Sequence, residues 1–168
     1  MAIISTDIVY RLSGGSGNTD PNASLGGVKS STAIGAGLHN LFDVVSSAES
    51  SAGDTEYRCF YVHNAHATLT MQNSVIWIQS NTTSADTTIE IGLGSSAVNG
   101  TEQTVANEST APTGVTFSAP ANQGAALSIG DIPPGEHKAV WVKRIVNASA
   151  SAYNNDSATI RVQCDTSA

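Results

Sequence analysis

Ile and Val together number 25 in this chain against only 7 Leu, and 17 Thr stand beside them. Side chains branched at Cβ are stiff at χ1, lose freedom in a helix and pack well on a pleated surface. The chain is therefore expected to fold as strands. Ser, Thr, Gly and Ala supply 76 of the 168 residues and only 12% are charged, which excludes a helical bundle or coiled coil built from Glu, Lys and Leu. Leu, Ile, Val and Phe together make 35 residues, enough for one lean core. The length sets the same bound: one ordinary domain, or one domain with an extended arm.

The strand signal changes along the chain. Residues 3–12 alternate, with Ile4, Thr6, Ile8, Tyr10 and Leu12 on one face and Ser5, Asp7 and Arg11 on the other, which reads as a strand. Residues 13–37 dissolve into turn chemistry, including Gly14-Gly15, Gly17-Asn18, Asp20-Pro21 and Gly26-Gly27. With few large apolar groups this stretch cannot bury itself, so an arm or surface-hugging extension ordered by a partner is expected. Leu38, Leu41, Phe42 and Val45 fall at helical spacing within residues 38–52, predicting a turn or two of helix that ends at Gly53. Beyond Glu56, strands are expected near 57–64, 67–72, 75–80, 87–93, 101–106, 114–118, 125–129, 137–146 and 157–164. The Ile132-Pro133-Pro134-Gly135-Glu136 stretch is a turn leading into the longest of them. Closely spaced strands without helices between them indicate an all-β fold, an antiparallel β-sandwich of jelly-roll or Ig-like type with an extended N-terminal arm and at most one short helix. Residues 1–53 form the strand, arm and short helical segment, and residues 54–168 the sandwich.

The charge balance removes whole classes of function. Seven basic residues against 14 acidic ones leave a net charge of −7, which repels a nucleic-acid backbone. No apolar run approaches the ~18 residues of a membrane span, and the N-terminus lacks the basic and apolar regions of an export signal; neither membrane nor secretory partners are expected. Cys59 and Cys164 lie far apart without a CxxC pair, so neither a disulfide framework nor a zinc ribbon is expected. They fall in the first and last sandwich strands and read as two free thiols that could be neighbours.

No bond-making chemistry is signalled. His63 and His66 are three apart and point to opposite faces of a strand unless a turn intervenes, and His137 opens a separate strand, so no metal is expected. Glu90 sits on the polar face of its strand, and Glu102 and Glu108 in Asn- and Thr-rich turns, so they read as solvated surface rather than a glycosidase pair. The nucleophile elbow, P-loop and dinucleotide fingerprint are absent. Neither catalysis nor a cofactor is expected. Lys138, Lys143 and Arg144 around Trp141 form a local basic group on an acidic chain, suited to an acidic protein partner at a subunit interface; the alternative is a strand whose long side chains lie along Trp141.

The stretch from Arg11 through Gly27 (RLSGGSGNTDPNASLGG), the Leu41-Phe42-Asp43 segment leading to Gly53-Asp54-Thr55-Glu56-Tyr57-Arg58, the block from Asp86 to Ala106 and the corner from Ile132 to Lys143 resemble small virion proteins of tailed bacteriophages. A low-charge chain rich in Ser, Thr, Gly and Asn but without an export signal fits that class. The resemblance implies a capsid decoration or cement protein: a β-sandwich module, dimeric or trimeric, that sits on the outer shell and cross-links major capsid protein subunits after assembly in the bacterial cytoplasm. It implies no catalytic residue. On this reading Arg11, Leu25 and Lys29 of the arm, with Lys138, Trp141, Lys143 and Arg144, face the partner, and deleting residues 1–37 leaves a folded monomer that no longer binds shells. The alternative is a carbohydrate- or receptor-binding module of a head or tail fibre, with Trp77, Trp141 or Tyr153 as a stacking platform.

Overall fold

A computed structural model describes residues 2–166. The chain is mostly β, with antiparallel pairing throughout. Strand β1 (Ile8–Leu12) is followed by the two-residue β2 (Gly26–Gly27), helix α1 (Ser47–Ala52), β3 (Asp54–Asn64), β4 (Met71–Ser80), β5 (Thr87–Leu93), β6 (Glu102–Thr104), β7 (Leu127–Ile132), β8 (His137–Val146) and β9 (Thr159–Thr166). One sheet has the order β1-β3-β8-β5, a second β7-β4-β9, and β2 pairs with β6 in a short ribbon. Near the limits of the described residues, the Ile3 N–H donates to Thr166 Oγ1 at 3.2 Å.

Alternation along the strands decides what lies between the sheets. Phe60 and Val62 of β3, Val140 and Val142 of β8, and Ile89 and Ile91 of β5 point inward to meet Met71, Ile76 and Ile78 of β4, Ile129 and Ile132 of β7 and Val162 of β9. All but Phe60 and Met71 are β-branched, and together they form the main core. The Pro-Pro-Gly corner carries the chain from one sheet to the other: Gly135 takes φ +77 and the Glu136 N–H closes the turn on Pro133 O at 3.1 Å.

The opposite face of the larger sheet is covered too. Cys59, Tyr61, Ala139 and Trp141 are buried there together with Val105, and Leu25, Tyr57, Val115 and Phe117 pack against them. Part of the cover comes from Leu25 and the neighbouring residues of the 13–37 segment, which bond to the chain's own sheet. Polar groups do the fastening. Ser13 Oγ donates to Cys59 O at 2.8 Å, the Cys59 N–H to Ser24 O at 2.7 Å, and Tyr61 Oη to Gly27 O. Ser13, Ser24 and Ser30 are fully buried. A segment with little apolar bulk is thus held by backbone and hydroxyl groups, which no hydrophobic pattern records. Removing residues 1–37 would bare this face, so a folded truncated monomer is not what the structure supports.

Four local expectations are corrected. The helix falls at Ser47–Ala52, after the predicted apolar repeat, and is set by the Ser46/Glu49 capping box. His39 at φ +57 interrupts the repeat itself, leaving Leu41 and Phe42 against the core while Leu38 and Val44 are exposed. Residues 67–70 are not strand: His66 Nδ1 accepts from the Thr68 and Leu69 N–H groups, and Asn64 Nδ2 donates to Leu69 O, winding the chain into a turn before β4. Residues 114–118 contribute a single bridge, Ser118 to Ile91. The segment expected at 125–129 begins as a 3-10 turn over Gln123–Ala125, capped by Asn122, and pairs only from Leu127.

Candidate functional site

At one end of the sandwich, residues 34–47 and 150–160 wall an open cleft of about 1070 Å3, with Phe60, Ile89, Val142 and Arg144 among the residues lining it. Each wall is pinned at its base. Asp156 Oδ1 accepts the Thr83 and Ser84 N–H groups at 2.8 and 3.0 Å, and Asp86 Oδ2 accepts the Ser151 N–H at 2.9 Å. Opposite, Arg144 Nη1 donates to Asp43 O at 2.7 Å. Of the five large hydrophobic side chains exposed among the described residues, Leu38 (58%), Val44 (66%) and Tyr153 (52%) line this cleft. Such clustering marks a contact surface, since isolated exposed apolar residues need no explanation.

Beside the cleft lies a buried charge network. Glu56 and Arg58 share the alternation of Phe60 and Val62 and are therefore carried inward; Glu56 faces Arg144 across the β3–β8 pair. Arg144 bonds Glu56 and reaches Asp43 Oδ1 at 3.5 Å, while Arg58 pairs with Glu108 and donates to Asn22 Oδ1 at 3.3 Å. The Phe42 ring lies against both cations, 4.8 Å from the Arg144 guanidinium carbon and 5.5 Å from that of Arg58. Burial pushes the Glu56 carboxyl up, and Arg144 counteracts it. Oxygens of Asp43, Glu56 and Glu108 approach one another, as do those of Glu49, Asp54 and Glu56. Each member of the first trio already pairs with a guanidinium group, Glu108 with Arg58 and both Asp43 and Glu56 with Arg144. In the second, Glu49 accepts the Ser46 N–H at 2.6 Å and Glu56 serves Arg144, so each cluster has a structural role without a metal.

Glu102 and Glu108 are not the solvated surface groups expected from their turns. Glu108 neutralises the buried Arg58. Glu102 is 3% exposed and accepts Ser96 N–H at 2.8 Å, Ser95 Oγ–H at 3.0 Å and Ser95 N–H at 3.2 Å. Burial alone would raise its pKa, but these donors prevail and hold it at about 2. The Trp141 indole N–H adds to that field yet makes no hydrogen bond of good geometry. Glu90 pairs with Lys143 at 3.0 Å.

No family model, curated protein or solved structure matches this chain. The geometry redistributes the expected contact residues. Trp141 is fully buried in a cluster with Val105, against which Leu25, Val115 and Phe117 pack, and cannot meet a partner. Lys138 Nζ donates to Gly94 O at 2.9 Å and to Ser96 O, Lys143 is held by Glu90, and Arg144 by Glu56 and Asp43. The basic group around Trp141 is therefore engaged within the chain, Lys143 and Arg144 by carboxylates and Lys138 by backbone carbonyls, rather than presented as a patch. Leu25 is half-buried against the Trp141 cluster. Arg11 and Lys29 are half-buried too, and they lie close enough for the Arg11 charge to lower the Lys29 pKa, after the larger effect of desolvation. The two thiols are apart: Cys59 belongs to the outer cluster and Cys164 packs against the main core. His63 faces His137 across β3 and β8, and His66 is spent on its own turn.

The cleft went unread in the sequence because its apolar residues come from two irregular segments, where no periodicity marks a face. The inward charges did leave a signal, since Glu56, Arg58 and Arg144 share the alternation of Phe60 and Val142.

Proposed function

We propose that this chain is a structural component of a virion, a decoration protein that binds the outer surface of a phage capsid and cross-links major capsid protein subunits. Its resemblance to small phage virion proteins suggests the setting. The observation that carries the reading is the apolar cleft with Leu38, Val44 and Tyr153 exposed at its walls. An exposed apolar surface on a rigid body fits a protein that works by contact. The contact surface moves from the Gly-rich segment to this cleft, because Ser13, Ser24, Leu25 and Gly27 of that segment are already engaged with their own sheet. Many copies on a symmetric shell would add weak contacts into firm attachment.

The test uses purified phage particles. Mass spectrometry is expected to find the chain at a high copy number relative to the major capsid protein, and Leu38→Asp with Val44→Asp to lower occupancy at least tenfold while thermal unfolding is unchanged. Absence from particles, a handful of copies, or full occupancy by the double variant would each refute the reading. The fibre alternative is weakened because Trp77 is 7% exposed and Trp141 not at all, leaving Tyr153 alone of the three stacking residues. Saturable binding on a glycan array, lost in Tyr153→Ala, would restore it.

A further inference from the structure

On the outer side of the larger sheet, four basic side chains gather without a counter-ion. His63 and His137 face each other in the β3–β8 register, with Val9 of β1 completing the row, and Arg11 stands two pairs further along, on the same face, opposite Tyr61. The chain then returns antiparallel along β1. Arg11 bridges Ala33, the Ser30 N–H donates to Leu12 O at 2.8 Å, and the Leu12 N–H donates to Thr32 O at 3.1 Å. This return places Lys29 beside the row. All four side chains are half-buried, held in place yet reaching solvent.

Their partners are neutral. Arg11 Nη1 donates to Ser31 O, His63 Nδ1 lies 3.1 Å from Glu136 O, and the His137 ring stands edge-on to Tyr61 at 4.8 Å between centroids. Arg11 Nε and His137 Nδ1 are buried with no hydrogen-bond partner. Among the described residues every ion pair involves Arg58, Lys143 or Arg144, so no carboxylate reaches any member of this group. In a chain with twice as many acidic as basic residues, leaving four bases together without an acid is a costly arrangement, and an anion would relieve it.

We propose that Arg11, Lys29, His63 and His137 form a binding site for a tetrahedral oxyanion, sulfate or phosphate. Lys29 and Arg11 supply permanent charge and the imidazoles supply N–H donors. Consistent with this, desolvation and the Lys29 charge push both histidines down, His137 to about 4 and His63 less far, with Arg11 also acting on His63. The inference is independent of the role on a capsid, since it needs only the folded chain.

The experiment is an NMR titration of the imidazoles in the full chain, with sodium sulfate against sodium chloride at equal ionic strength. Sulfate stays doubly charged across the range, so its own protonation does not intrude. The His63 midpoint is expected to move up by about one pH unit in sulfate. Lys29→Gln, checked for native amide shifts, should weaken sulfate binding about tenfold. A parallel phosphate titration at fixed pH should reproduce the same shifted resonances if the site accepts tetrahedral anions as a class. Identical midpoints in sulfate and chloride would overturn the proposal, as would an anion effect that Lys29→Gln leaves intact.

Discussion

Replacing Glu102 by Gln tests whether a buried carboxylate fastens the cover of the larger sheet. In the native structure the carboxyl is 3% exposed, accepts donors from Ser95 and Ser96, and is held from its ordinary 4.5 down to about 2. One unit of pKa corresponds to about 1.4 kcal/mol, so the ionised form stabilises the fold by about 3 kcal/mol. The sign is fixed because the folded pKa lies below the unfolded one. That stability is complete above about pH 4.5 and is lost as pH falls towards 2. Gln keeps the shape but turns an N–H donor towards the Ser N–H groups, so Glu102→Gln should lose about 2–3 kcal/mol at pH 7. Urea unfolding of both proteins between pH 7 and 3 measures it, and the gap should narrow as the pH drops. Equal stability at pH 7, or a gap that ignores pH, would falsify the reasoning.

Deleting residues 1–37 removes β1 and uncovers Cys59, Tyr61 and Trp141. The expected loss exceeds about 5 kcal/mol and is comparable with a whole domain's stability; urea unfolding and the rate of Cys59 modification by a thiol reagent report it. In the intact chain Cys164 should react before Cys59, whose thiol burial pushes well above its ordinary range. Gly26→Ala should cost at least about 2 kcal/mol and detach β2 from β6, because Gly26 sits at φ +92 with Gln103 O where a Cβ would go; amide exchange at Thr104 and Val105 would show the detachment. Arg58→Met should cost about 1–3 kcal/mol by thermal melting, near the lower end for a broken buried pair, since the freed Glu108 is 38% exposed and can rehydrate.

Much of the sandwich was legible because its rule is local. Strands such as 87–93 and 137–146 announce themselves by β-branched alternation, and the Pro-Pro-Gly corner by dihedral preference. What escaped was carried by atoms that patterns do not count. Ser13, Ser24 and Gly26 bury a poor segment through hydrogen bonds and close backbone approach, so a stretch read as needing a partner is anchored at home. Trp141 looked like a surface aromatic among cations, because nothing nearby in the chain tells that Leu25, Val105 and Phe117 will lie over it. Glu102 likewise sits among turn residues, and only the folded loop brings Ser95 and Ser96 around it. The cleft gathers Leu38, Val44 and Tyr153 from segments more than a hundred residues apart.

Ile3 and Thr166 touch, so the two ends of the described fold lie side by side. A short Gly-Ser bridge between those ends, with new termini opened at the exposed residues 153–155, should therefore yield a permuted protein with every strand pairing retained. Segments joined before Ile3 or after Thr166 would leave the body from the same spot.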